Sequence, residues 1–249
     1  MKILQILTLT CLASSAIADT TLIYNDKTEK VSMKMQFANN MMRATTTGDE
    51  GGNMIYDANK NTFIMLVPKE KQYFVMDEET VKSLTDIGAM MEKMMEKQLA
   101  NVPEAQREMM RNMMAGAIKA QMPKQMPAPE YSLTGKSESF NGFSCQIVLK
   151  KSGRNKSEYC VTEYSALGMD KSEYETIAEM QKIIESLAKQ FGTDSSMNFM
   201  ELGSFIPVNY RQNDQVGTLS DVNHDSIDPS LFTVPADYKE IDLPFKDLQ

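Results

Sequence analysis

Two cysteines, Cys145 and Cys160, flank the stretch "QIVLKKSGRNKSEY". Ser152-Gly153 stands at its centre, and glycine supplies the positive φ that a two-residue hairpin turn needs. With that loop, positions 145 and 160 fall opposite each other on antiparallel strands. Non-hydrogen-bonded cross-strand pairs come close enough to bridge. The spacing is not C-x-x-C, so a structural disulfide is expected rather than a redox or metal-binding dithiol. Closing a loop of about 15 residues stabilises by roughly 3 kcal/mol on the loop-entropy account. The chain must therefore build a β-hairpin here, in an oxidising compartment.

The N-terminus points to the same compartment. Met1-Lys2 precedes an apolar run from Ile3 to Leu12, and "SSAIADT" follows. A positive charge, a short apolar core and small residues before a cut site make a signal peptide. Cleavage is expected after Ala18, leaving Asp19 first. Residues 1–18 are then the signal, residues 19–249 are one domain, and the periplasm is the destination. Cys11 follows Thr8-Leu9-Thr10, a poor context for a lipoprotein signal. The formal charge is −8 and no basic block occurs, which argues against nucleic acid as a partner. No second run of about twenty apolar residues occurs, so no membrane anchor is expected after the signal.

Periodicity divides the rest. "VSMKMQF" alternates strictly, with Val31, Met33, Met35 and Phe37 on one face. Period two marks a half-buried strand. Asn39-Asn40 reads as a turn into "MMRATTT", and "GGNMIYD", "TFIMLV" and "QYFVMD" continue an antiparallel meander. Asp77 then reads as a helix N-cap with Glu78 and Glu79 behind it. A Met-rich helical insertion is expected at about 78–122, broken at Pro103 and restarted at Glu104. "MPKQMPAPE" ends it. Strands return through the cysteine hairpin. Ser172 with Glu175 reads as a capping box. It opens an amphipathic helix carrying Tyr174, Ile177, Ile184, Leu187 and Phe191, with Gly192 as its stop. "SFIPVNYRQ" and "QVGTLSDVN" make a last strand pair. Segregated strands and helices predict an α+β fold on an antiparallel sheet.

Catalytic signals are absent from the motifs. The single histidine, His224, sits in "DVNHDS" and is expected to be solvated. No G-x-S-x-G, H-E-x-x-H or Gly-rich phosphate loop is present, so no enzyme, no cofactor and no named metal ligand are expected. The methionines stand out: of 22, ten lie from Met90 to Met126. Met90, Met91, Met94 and Met95 share one side of a helix, as do Met109, Met110, Met113 and Met114, because i and i+4 are neighbours. Three readings apply. Met is a strong helix former and adaptable packing; a flexible apolar face suits a varied ligand or partner; and thioethers select soft ions such as Cu(I).

"GNMIYDANKNTFIMLVPKEKQYFVMD", "NGFSCQIV" with "SEYCVTEYSALGMDKSEYETIAEM", and "SLFTVPADYKEIDLP" together resemble an uncharacterised family of exported bacterial proteins. That family carries a domain of unknown function related to the LolA-like lipoprotein-carrier fold. The resemblance implies a curved antiparallel half-barrel with helices covering its concave face, around a cavity that in the carriers shelters acyl chains. It also sets Arg43 where the carriers hold their lid with an arginine, though the carriers' following Pro and second Arg are missing. The expected function is non-catalytic binding of a hydrophobic ligand (lipid or acyl chain) or of an envelope partner. Val31, Met33, Met35 and Phe37 would line the concave face, with Met90, Met94, Met110 and Met114 above it. The alternative is a Met-rich copper-binding module.

Overall fold

The computed structural model describes residues 19–47, 52–85, 92, 95–100, 102–121, 128–190, 198–212 and 215–242. Its first six strands are β1 (Thr20–Asn25), β2 (Val31–Ala38), β3 (Met41–Thr46), β4 (Asn53–Asp57), β5 (Thr62–Val67) and β6 (Gln72–Met76). They pair in sequence as an antiparallel meander. The β2–β3 turn shows why. Asn39 and Asn40 hold φ of 53° and 59°, a conformation asparagine tolerates and a primed two-residue turn requires. Ala38 is thereby set opposite Met41, and Phe37 opposite Met42.

Asp77 caps α1 (Glu78–Thr85): its Oδ1 accepts the Thr80 N–H at 2.8 Å. Residues 95–99 are helical, and α2 (Glu104–Gln121) begins directly after Pro103. The chain then enters β7 (Glu130–Phe140), β8 (Phe143–Ser152) and β9 (Asn155–Glu163). Helix α3 (Lys171–Gln190) leads to β10 (Phe205–Gln212), β11 (Gln215–Asn223) and the two-residue β12 (Lys239–Glu240). All twelve strands join one open sheet in the order β12-β6-β5-β4-β3-β2-β1-β11-β10-β9-β8-β7. The Met-rich segment therefore connects strands at opposite ends of the sheet, from β6 to the far edge at β7.

This architecture corrects the expected α+β half-barrel with helices covering a concave face. The fold is dominated by one large open sheet with few helices, and the sheet is mixed because β12 lies parallel to β6. The burial pattern gives the reason. One face of the meander is filled by α3, which packs on β3 and α1. Ile177 and Met180 join Leu22, Tyr24, Phe37, Met42 and Tyr56 in the main core. The other face is covered by the C-terminal segment, where Ile227 and Phe232 pack on Ala38, Ile55 and Leu66. Helix α2 covers neither face with its described methionines: Met109 and Met113 are 65% and 70% exposed.

Two local readings also shift. The cap of α3 is Asp170 with Glu173, not Ser172 with Glu175: Glu173 Oε2 accepts the Asp170 N–H at 2.9 Å. The Cys145–Cys160 disulfide forms, with a Cα–Cα distance of 5.3 Å. Its turn residues are Gly153-Arg154, with Ser152 opposite Asn155. Moving a turn by one residue moves each cross-strand partner by two. Cys160 thus faces Ile147, and the disulfide crosses diagonally to Cys145.

Candidate functional site

Between α3 and the sheet lies a cavity of about 230 Å³. Its floor begins at β1 and β2, where antiparallel register sets Leu22 opposite Met35 and Tyr24 opposite Met33. Alternation along each strand puts all four side chains on one face. Ile177 and Gln181, one helical turn apart on α3, form one wall. Phe199 and Met200 come from the 3-10 turn Asn198–Glu201. Phe205, Ile206, Pro207 and Tyr210 of β10 complete the lining.

Strand β10 can turn this many residues into one cavity because its register to β9 slips between Pro207 and Asn209. Proline has no N–H for a ladder and is tolerated at such bulges. The Pro207 carbonyl accepts the Tyr24 hydroxyl at 2.8 Å. The Tyr24 and Tyr210 rings sit 6.2 Å apart. Burial, with a smaller contribution from Tyr210, pushes the Tyr24 hydroxyl far above the ordinary tyrosine range. Burial also raises Tyr210. Both phenols are therefore neutral, and among the described residues no charged side chain lines the cavity.

Met33 and Met35 stand at the cavity, while Phe37 on the same strand is fully buried in the core beside it. Val31, at the start of β2, is 46% exposed. Met110 lies on α2, 40% exposed and away from the cavity lining. Met114 belongs to α2, but its side chain lies outside the described residues, as do Met90 and Met94. The aromatic walls Tyr24, Phe199, Phe205 and Tyr210 are the residues sequence reasoning missed. For Phe205 and Tyr210 the signal is the apolar density of "SFIPVNYRQ"; Tyr24 and Phe199 stand in other segments, with no local signal that they share a site.

A second polar arrangement ties α3 to β1. Glu173 is only 6% exposed. Its Oε2 accepts the Thr20 hydroxyl at 2.8 Å, and its Oε1 is buried without a partner among the described residues. Burial raises its carboxyl above the usual carboxylate range. His224 is exposed, as expected, and also reaches back to the fold. Its Nδ1 is 3.3 Å from the Thr20 hydroxyl and its Nε2 is 3.1 Å from the Leu167 carbonyl. Arg43 points to the opposite face: it donates to the Leu231 carbonyl at 2.7 Å, clasping the C-terminal segment rather than a lid. A wider, mixed-charge groove of about 690 Å³ runs beside the cysteine hairpin, edged by Arg154, Lys156, Arg211, Glu138 and Glu158. Among the described residues, no three His, Cys, Asp or Glu side chains gather to hold a metal ion. No helix of the described residues is long and apolar enough to cross a membrane.

Residues 82–238 match the model of a family described as a domain of unknown function (DUF4412). The match starts within α1, so the meander β1–β6 lies outside it although it shares the sheet. No curated protein matches the chain. Two solved structures, of PNGF-II in the C2 and P21 space groups, are similar at 10% identity with TM-scores of 0.42 and 0.41. They cover 93% of this chain, which spans about a third of theirs (32% and 33%).

Proposed function

Starting from a chain that belongs to the DUF4412 family, we propose that it is an exported, non-catalytic protein that binds a hydrophobic molecule between α3 and the sheet. One observation carries this reading: among the described residues the cavity is walled by apolar and aromatic side chains, with Gln181 its one amide and no charge. Such a wall supplies binding and shape, and burial keeps its two phenols neutral. The Cys145–Cys160 disulfide supports export, because such bonds persist in oxidising compartments. So does the position of β1, which begins at Thr20, one residue after the expected new N-terminus. The periplasm is the compartment that fits a cleaved signal and a disulfide. Kinship with exported lipoprotein carriers belongs to the same proposal and is supported by the stretches quoted above. The test is uptake of hexanol, small enough for the cavity, by the purified protein, read by saturation-transfer NMR and compared with a variant carrying Met33→Gln and Met35→Gln. Wild type should take up hexanol, and the variant should bind at least about tenfold more weakly, since each apolar side chain contributes on the order of 1.5–3 kcal/mol when buried. Equal uptake by both proteins refutes the reading.

A second reading, docking of an envelope protein, is favoured by the exposed Met109, Met110 and Met113 of α2. Thioether side chains adapt to varied partner surfaces.

A further inference from the structure

The cavity carries information about its occupant, and this inference rests on the binding reading just given. A cavity of about 150 Å³ lined by aliphatic and aromatic groups holds benzene. Scaled by volume, about 230 Å³ accommodates roughly nine non-hydrogen atoms. That is too little for a set of acyl chains. Among the described residues no charged group lines the space, and an ion buried there without a partner would be strongly disfavoured.

Two of the aromatic walls are placed by glycines. Tyr210 of β10 lies opposite Gly217 of β11, and a Cβ on Gly217 would come within 2.3 Å of the Tyr210 ring. A Cβ on Gly203 would come within 2.6 Å of the Phe205 ring. Each ring lies over a bare backbone position while lining the cavity, which holds its orientation. Aromatic walls so placed favour a ring as occupant, through offset or edge-to-face contact. Two polar groups at the cavity are unused among the described residues: the Gln181 carboxamide and the Tyr210 hydroxyl. The Tyr24 hydroxyl is already engaged by Pro207.

We infer that the occupant is an uncharged aromatic molecule of about nine non-hydrogen atoms with one hydrogen-bonding group, held by Tyr210 and Gln181 in a slot that Gly217 keeps open. Indole is a suitable probe: it has the right size, one N–H and no charge. The chain contains no Trp, so indole fluorescence reports binding directly. Indole should bind saturably, and octanoate at least about tenfold more weakly, because it carries a charge. Gly217→Ala should push the Tyr210 ring into the slot and weaken indole at least about tenfold. Tyr210→Phe with Gln181→Leu, which keeps the shape, should weaken it roughly fivefold, the net worth of one hydrogen bond. The inference is overturned if octanoate matches indole, or if indole affinity survives both sets of substitutions. Hexanol uptake without indole binding overturns the aromatic occupant and leaves the hydrophobic cavity standing. Failure of both probes removes the cavity reading with it.

Discussion

Met33 and Met35 of β2 and Met109 and Met113 of α2 share a residue type and little else. The first pair faces a cavity under α3, partly buried against Leu22 and Tyr24. The second pair stands 65% and 70% exposed. Both sit in alternations of apolar and charged residues, so composition treats them alike. What separates them is topology. A period-two strand inside a sheet must present one face to whatever covers it, and here α3 does so. A helix that connects two ends of a sheet has no such obligation. Met enrichment therefore reports adaptability, and position in the fold decides where that adaptability is used.

The sharpest way to break this contrast is a methionine buried on the sheet. Met42 is fully buried, on β3 opposite Phe37. Met42→Ala should cost about 2–5 kcal/mol, the transfer and cavity terms together. Met109→Ala should stay within about 0.5 kcal/mol. Urea denaturation of the two variants measures both, and similar costs would erase the distinction. Next in size is the disulfide. Replacing Cys145 and Cys160 with Ala should destabilise by about 3 kcal/mol through the freed loop. It should leave hexanol uptake by the folded protein intact, because neither cysteine lines the apolar cavity. Loss of uptake at unchanged stability would tie the cavity to the hairpin end of the sheet.

The strands were legible because period two and paired turn residues are local: β2, its Asn39-Asn40 turn and the cysteine hairpin follow from neighbouring residues alone. The helices α1 and α2 were legible from Asp77 and Pro103. Pairing between distant strands was not, since β1 meets β11, and β12 meets β6, across most of the chain. The two-residue β12 carries no periodicity to read. The site was half legible for the same reason. Met33 and Met35 announce themselves within one strand, whereas Tyr24, Phe199 and Tyr210 converge only once β10 pairs beside β11 and α3 packs above.

A smaller effect concerns the roof of the cavity. Glu173 joins α3 to Thr20 of β1, and burial raises its carboxyl above the ordinary value of 4.5. A raised value means that the folded state holds the proton more tightly than the unfolded chain. The stability it contributes is fully present below 4.5 and is lost as pH rises through the folded-state value. Glu173→Gln keeps an acceptor for Thr20 and Asp170 but cannot ionise. Its melting temperature should therefore fall less than that of wild type when the pH is raised from about 4 to about 7. Parallel pH profiles for the two proteins would show that Glu173 does not titrate differently on folding. The exposed methionines should show no such dependence.

The smallest stability effect belongs to α2, and it tests the contrast from the other side. Met109, Met110 and Met113 are 65%, 40% and 70% exposed. Exchanging them for Gln removes apolar surface that already faces water. Glutamine has a helix propensity close to that of methionine, so α2 should persist. The triple variant should unfold within about 0.5 kcal/mol of wild type for each site, and its uptake of hexanol or indole should be unchanged. If the helix meets an envelope protein, the difference appears elsewhere: crosslinking in intact cells should capture a partner with wild type and lose it with the Gln variant. Were these methionines instead ligands for Cu(I), the Gln variant would lose Cu(I) affinity. A Leu variant would lose it too while keeping the apolar face and the crosslink. Impaired hexanol uptake in the Gln variant at unchanged stability would place α2 over the cavity after all, and the two sets of methionines would then form one surface.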